Sequence, residues 1–133
     1  MIRALLFGLA FALATGAAFA AKDPPPDKNA HFFTDRHWKT VRDYFNEQMR
    51  AGLCPIGFSK KEGGCQPPRH SRSWQIGKPL PGNAIRFDLP PALAAKLGKP
   101  PPGHRYVRVV DDVLLVSNQS KLVVDAILNL GRR

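Results

Sequence analysis

The sequence predicts an α+β protein: a small antiparallel β-meander with one short helix, preceded by an amphipathic helix and a disulfide-closed loop. Two observations lead to this prediction. Between Trp74 and Gly131, apolar runs of strand length recur at short intervals, separated by Pro, Gly, Asp and Asn. Between Phe32 and Gly52, apolar residues instead recur every three or four positions, which is the period of a helix.

The meander is expected to begin at the segment AIRFDL. Ile85 and Phe87 alternate there with Arg86 and Asp88. Alternation of apolar and charged residues is typical of a strand with one buried face. We therefore predict that Ile85 and Phe87 face the core.

A short helix follows this strand. Pro90 and Pro91 open it, since proline is tolerated in a first helical turn, and Gly98 ends it. Leu93 and Leu97 lie four positions apart and form its predicted buried pair.

Three further strands complete the predicted meander. Connections of two or three residues between them require antiparallel neighbours. The strands are predicted over Tyr106–Val110, Val113–Ser117 and Leu122–Ala126, with turns at Asp111-Asp112 and Asn118–Ser120 and one helical turn as an option after the last strand.

The helix between Phe32 and Gly52 has recognisable ends. Thr34 is placed to cap its first turn, and Gly52 provides a left-handed stop. Phe33 and Trp38 lie before and after the cap at the spacing of a hydrophobic staple.

The apolar stripe of this helix has two interpretations. It packs against the C-terminal sheet or a second copy of the chain, or it lies on a membrane surface as part of a basic amphipathic helix. Acidic residues dilute the positive face, which favours packing. The stripe consists of Trp38, Val41, Phe45 and Met49, with Tyr44 beside them, and the diluting acids are Asp35, Asp43 and Glu47.

Residues 1–20 have the layout of a secretory signal peptide. Arg3 is followed by an apolar region and by the small-residue site Ala18-Phe19-Ala20. We predict cleavage after Ala20. The alternative is an uncleaved anchor, because the uncharged stretch from Ala4 to Ala21 is just long enough to span a bilayer.

Cys54 and Cys65 are the only cysteines. In an exported chain this even count predicts a disulfide. A metal site at this place would need further ligands, and His70 is the only obvious one nearby. The segment from Cys54 to His70 is rich in Gly, Pro and Lys, so we expect it to lack regular structure.

The chain of 133 residues carries a net charge of +10. Such a surplus favours anionic surfaces, and export makes nucleic acid the least suitable of these. The alternative is that the charge only maintains solubility. The candidate residues for contact with an anionic surface are Arg36, Lys39, Arg42, Lys60, Lys61, Arg69 and Arg72.

The four histidines give little indication of a metal site. None of His31, His37, His70 and His104 forms a pair at helical spacing, and His31 with His37 converges only if the chain before Thr34 folds back. His31 and His37 are thus weak metal candidates, and solvent exposure is the favoured interpretation for all four. No cofactor is predicted.

The motifs of common enzyme classes are missing from the sequence. There is no G-x-S-x-G elbow, no P-loop and no dinucleotide fingerprint, and a disulfide-bonded cysteine is not a nucleophile. The sequence therefore favours a protein without enzymatic activity.

Ordered blocks from about Val41 to Gly131 resemble the RcnB and CigR group of small envelope proteins. The blocks are RDYFNEQMRAGLCPIGFSKKEGGCQPP, WQIGKPLP, FDLPPALAAKLGKPPPGHRYVRV, DDVLLV and LVVDAI. The loop and the VVDAI ending are more similar to the CigR side. His104 and the segment NQSKL depart from the usual pattern of the group.

The resemblance implies a bacterial periplasmic protein without known enzymatic activity. The RcnB side of the group is associated with nickel and cobalt homeostasis, and the CigR side is associated with regulation of virulence. We expect an accessory or regulatory protein that acts through an unknown envelope partner, or alternatively a basic module that holds anionic lipid or lipopolysaccharide. The expected segments are a signal peptide at 1–20, a Pro-rich spacer at 21–31, the helix with its loop and linker at 32–73, and the α+β domain at 74–131.

Overall fold

The computed structural model describes residue 16 and the ranges 31–69 and 71–132. The predicted signal peptide, apart from residue 16, lies outside these residues, as do residues 21–30 of the predicted spacer and His70. The elements in chain order are α1 (Asp35–Arg50), β1 (Ser59–Lys61), β2 (Gly64–Gln66), β3 (Arg86–Phe87), α2 (Pro91–Leu97), β4 (His104–Val109), β5 (Asp112–Ser117), β6 (Val123–Ile127) and a 3-10 turn (Asn129–Gly131).

The main sheet has four antiparallel strands in the order β3-β4-β5-β6, and β1 pairs with β2 in a separate hairpin. The predicted α+β class and the meander are therefore confirmed. The strands of the meander lie within one or two residues of their predicted bounds. The 3-10 turn after β6 matches the optional helical turn of the prediction.

The strand β5 is buried on both faces. Val113 and Leu115 belong to the core on the side of the helices, whereas Leu114 and Val116 belong to the core on the opposite side. This explains the uninterrupted apolar run in the sequence, which is typical of a strand covered on both faces. Each fully buried leucine contributes about 2 kcal/mol to folding.

The first core joins α1, α2 and one face of the sheet. Val41 and Phe45 of α1 contribute to it together with Leu93 and Leu97 of α2, so the predicted buried pair of α2 is confirmed. The apolar stripe of α1 thus packs inside the protein. On the opposite face of the sheet, Trp74 and Leu80 cover the second core.

The predicted burial of Ile85 is wrong. Only Arg86 and Phe87 pair with β4, and Arg86 lies opposite Val109, the last residue of that strand. Val110 has already turned away, with a φ of 54°. Ile85 consequently has no cross-strand neighbour and is 72% exposed at the sheet edge.

The predicted position of the turn between β4 and β5 is also wrong by one residue. Val109 pairs with Asp112, so the turn consists of Val110 and Asp111, and Asp112 begins β5. Asp112 is fully buried. The reason is tertiary, because hydrogen-bond donors from distant segments surround its carboxylate.

The loop from Cys54 to His70 contains regular structure, contrary to the prediction. Lys61 pairs with Gly64, so Glu62 and Gly63 form a two-residue turn. Gly63 adopts a φ of 85°, which glycine tolerates and which allows the chain to reverse.

Four hydrogen bonds converge on Asp112. Arg72 donates from Nε and Nη2 at 3.0 and 3.2 Å, the indole Nε1 of Trp74 donates at 3.2 Å, and the backbone N–H of Asn129 donates at 3.0 Å. The carboxylate of Asp112, at the start of β5, therefore joins the segment that contains Arg72 and Trp74 to the 3-10 turn.

We predict that Gly131→Ala lowers the free energy of unfolding by about 2–4 kcal/mol. An added Cβ would lie 2.7 Å from both the backbone N of Arg42 and the backbone O of Trp38, so α1 would have to move. Gly103→Ala is the matched control, since it has a similar φ of 75° but nothing within 4 Å. It is expected to cost only the left-handed strain, about 1–2 kcal/mol. Urea denaturation of the two variants tests this, and equal losses would contradict the close contact.

We predict that Asp112→Asn lowers the free energy of unfolding by about 3 kcal/mol, because the change leaves the Arg72 guanidinium without its counter-ion and turns an amide donor toward other donors. The measurement is chemical denaturation. Asp43→Asn, on the exposed face of α1, serves as the control and is expected to behave like the unaltered protein. Comparable stability of the two variants would overturn the assigned role of Asp112.

Candidate functional site

The disulfide-closed hairpin carries two exposed candidate cations, Lys60 and Lys61. Cys54 and Cys65 are bonded, as predicted, with their Cα atoms 5.5 Å apart. Lys60 lies opposite Cys65 in the β1–β2 ladder, and Lys61 is the last residue of β1. The disulfide therefore fixes the strand that bears both lysines to the chain leaving α1.

A third cation joins these two lysines. Arg50, Lys60 and Lys61 line one shallow cleft of about 320 Å³. Arg50 is the last residue of α1, where a cation is favoured by the helix dipole. Sequence reasoning did not include Arg50 because its proximity to the hairpin depends on how the loop folds back.

The candidate cations of α1 are partly neutralised. Lys39 forms a hydrogen-bonded ion pair with Asp43, and Nε of Arg42 lies 3.5 Å from the same carboxylate. The bond from Lys39 is the main cause of the lowered pKa of Asp43. Arg36 is exposed one turn earlier. The helix thus presents a mixed surface, whereas the cleft at the hairpin is more uniformly positive.

Arg72 occupies a different environment from the other candidates. Its guanidinium binds the buried Asp112, which raises the pKa of Arg72, and it stacks 5.1 Å from the centre of the Trp74 ring. This cation holds the fold together, so it is less available for an external anion. Arg69 is exposed.

His37 acts at the start of α1. The backbone N–H of Thr34, the N-cap residue, donates to Nδ1 of His37 at 3.0 Å. An amide can only donate, so Nδ1 is unprotonated in this arrangement. The ring takes the position that Glu or Gln holds in a capping box.

His31 lies beside a buried carboxylate. Its Nδ1 is 3.7 Å from Oδ1 of Asp125, and its side chain is 75% exposed. Both residues line a cleft of about 840 Å³, which Trp38 and Ile76 also line. The two oxygens of Asp125 accept bonds from the backbone N–H groups of Phe33 and Ala126, at 2.7 and 2.8 Å.

These contacts bear on metal binding. His37 uses Nδ1 and Asp125 uses both oxygens in hydrogen bonds to the backbone. Within 31–69 and 71–132, no group of three or more His, Cys, Asp or Glu side chains is arranged to hold a metal ion. The Nδ1 of His104 lies 2.9 Å from the carbonyl of Pro102.

Arg108 is a buried cation that sequence reasoning missed. Its guanidinium donates to the carbonyls of Val110 and Ile56 and lies 4.6 Å from the centre of the Phe87 ring. Burial lowers the pKa of Arg108. The bond to Ile56 attaches the disulfide-closed loop to the sheet. The charged residue within the run YVRVV was the signal available in the sequence.

We predict that His37→Ala lowers the free energy of unfolding by about 0.5–1 kcal/mol, because the N–H of Thr34 loses its acceptor. His37→Gln is the matched control and should retain most of this stability, since glutamine is a natural capping-box residue at this position. Thermal and urea denaturation measure both variants. If glutamine is as destabilising as alanine, the capping role of the ring is wrong.

Three comparisons with known proteins bear on the family. The family model RcnB, described as a nickel/cobalt transporter regulator, matches residues 94–125. Among solved structures, the C-terminal domain of the inner membrane protein CigR from Salmonella enterica is 20% identical, with a TM-score of 0.47, and the match covers 76% of this chain and 94% of that chain. No curated protein sequence matches the chain significantly.

The segment matched by the family model begins within α2, includes β4 and β5, and ends within β6. It therefore contains both central strands of the main sheet, β4 and β5. The predicted resemblance to the RcnB group is confirmed over residues 94–125.

Proposed function

We propose that this protein is a non-enzymatic accessory or regulatory protein of the bacterial periplasm, which influences nickel and cobalt homeostasis or envelope regulation through protein contacts. The match of the RcnB family model to residues 94–125 carries this proposal. The description of that family as a transporter regulator suggests action on another protein.

The chemistry of the described side chains supports such a role. The buried carboxylates of Asp112 and Asp125 are engaged by donors of the protein itself, and the buried guanidinium of Arg108 is engaged by backbone carbonyls. These polar groups stabilise the fold. Contacts with other molecules would then be made through the exposed surface.

The Cys54–Cys65 disulfide supports an oxidising compartment. None of the described helices is long and apolar enough to cross a membrane. Cleavage after Ala20 remains our prediction, and retention of residues 1–20 as an inner-membrane anchor remains its alternative.

A second candidate function is a basic module that holds anionic lipid or lipopolysaccharide. The cleft formed by Arg50, Lys60 and Lys61 favours it. The contact would involve the hairpin rather than the apolar stripe of α1, because Val41 and Phe45 of that stripe are buried in the core.

We predict that deletion of the gene changes the cellular nickel or cobalt content and the tolerance to these metals, and that a complementing copy restores both. Elemental analysis and growth curves measure the effect. A copy lacking residues 1–20 is the matched control and should fail to complement, because the proposed site of action is the periplasm. An unchanged metal content and tolerance in the deletion strain would contradict the metal role.

Co-sedimentation with vesicles containing anionic phospholipid tests the second candidate. Lys60→Glu with Lys61→Glu should abolish salt-sensitive binding, whereas Arg36→Glu with Lys39→Glu, on α1, should weaken it less. Absence of binding by the unaltered protein would eliminate the lipid role.

A further inference from the structure

The two edges of the main sheet differ in how far other segments cover them. The beginning of the edge at β6 is covered by residues 77–80. The N–H of Gly77 donates to the carbonyl of Val123 at 2.8 Å, and the N–H of Val123 donates to the carbonyl of Lys78 at 3.0 Å. Pro79 forms a bridge with Leu122. This short segment closes the beginning of that edge.

The opposite edge is formed by the two residues of β3. Arg86 and Phe87 pair with β4 on one side. On the other side, no backbone hydrogen bond from another described segment reaches residues 85–88. An uncovered edge offers N–H and C=O groups to a further strand.

Two grooves flank this edge on opposite faces of the sheet. One, of about 260 Å³, is lined by Ile56, Phe58 and Phe87 on the side of the helices. The other, of about 210 Å³, is lined by Trp74 and Val109 on the opposite side. Ile85 borders both grooves, and we refer to β3, Ile85 and the two grooves as the Ile85 edge.

The Ile85 edge exposes two large apolar side chains. Ile85 and Ile56, which border the same groove, are each 72% exposed. Adjacent exposed apolar side chains mark interaction surfaces more often than single ones do. The geometry suits an extended segment in particular, because successive residues of a strand point to opposite faces and would enter the two grooves in turn.

The charges around the edge are mixed. Arg86 lies in β3 itself, the buried Arg108 lines the groove on the helix side, and the exposed Asp88 directly follows β3. The guanidinium of Arg108 donates to neutral carbonyls, and the charge of Asp111 acts on it. The net charge of +10 indicates the kind of partner, because a second copy of the chain would be repelled by it. An acidic partner would not.

We propose that the Ile85 edge binds an extended segment of a partner protein, in which apolar residues alternate and Asp or Glu residues flank them, and that this segment adds to the sheet beside β3. The inference extends the proposed function, because it supplies the surface through which a regulator that acts by protein contacts would hold its partner. It does not depend on which process the partner serves.

The probe is a display library of random nine-residue peptides, selected on the disulfide-bonded protein purified from the envelope of producing cells. Enriched peptides are expected to alternate apolar residues and to carry Asp or Glu. Ile85→Lys should weaken their binding about tenfold or more, which corresponds to about 1.4 kcal/mol. Ile76→Lys is the matched control, since Ile76 is 48% exposed but lines the cleft beside His31, and binding should persist.

Amide hydrogen exchange provides a measurement on the unaltered protein. Binding of an enriched peptide should increase the protection of backbone amides within residues 85–88, because the peptide supplies new hydrogen-bond acceptors. Failure to enrich such peptides, equal binding by the Ile85→Lys variant, or unchanged protection would each overturn the proposal. Dimerisation of the purified protein that is lost in Ile85→Lys would also overturn it and would assign the edge to a second copy.

A failure of this proposal can be distinguished from a failure of the proposed function. A complementing copy with Ile85→Lys is introduced into the deletion strain. If the unaltered copy restores metal content and Ile85→Lys does so equally well, the metal role stands and the Ile85 edge is not the surface that serves it. If the deletion has no metal phenotype while the peptides bind as expected, the Ile85 edge stands and the metal role fails.

Discussion

The carboxylate of Asp112 is the interaction on which the arrangement of this fold depends. It is fully buried, and it accepts bonds from Arg72, Trp74 and the backbone of Asn129. These donors come from a segment before the sheet and from the turn after it. Because a buried charge without partners is costly, the three segments are held in one relative position. The 3-10 turn then lies against α1, where Gly131 leaves no space for a side chain.

The sequence was sufficient to predict the helices and the long strands. It predicted few of the hydrogen bonds and ion pairs that connect them. Periodicity identified α1, α2 and the three long strands, because their apolar residues face cores that each element contacts directly. It placed the β4–β5 turn one residue late, since Asp111 and Asp112 are indistinguishable without the donors that select Asp112 for burial. It also placed Ile85 inside, because alternation predicts a buried face but does not reveal where the partner strand ends.

The same reasoning explains which parts of the candidate site were found. Lys60 and Lys61 were evident as a local cluster, whereas Arg50 joins them only after the disulfide and the β1–β2 turn bring the hairpin against the end of α1. Arg72 was counted among the exposed cations, although its guanidinium belongs to the Asp112 network. Long-range ion pairs leave no periodic signal in a sequence. Charge composition therefore predicted the sign of the surface but not which cations remain available on it.

The polar contacts that build the core also shape the surface. The bonds from Arg108 to Ile56 and Val110 attach the loop beside β3, and this placement forms one wall of the groove next to Ile85. Residues 77–80 cover the beginning of the β6 edge, whereas no backbone hydrogen bond from another described segment reaches the outer side of β3. Short edge strands usually limit unwanted pairing, because they offer few backbone groups. β3 has only two residues, and two apolar grooves flank it. Recognition there would therefore depend on the side chains of the partner, which favours a specific sequence over general aggregation.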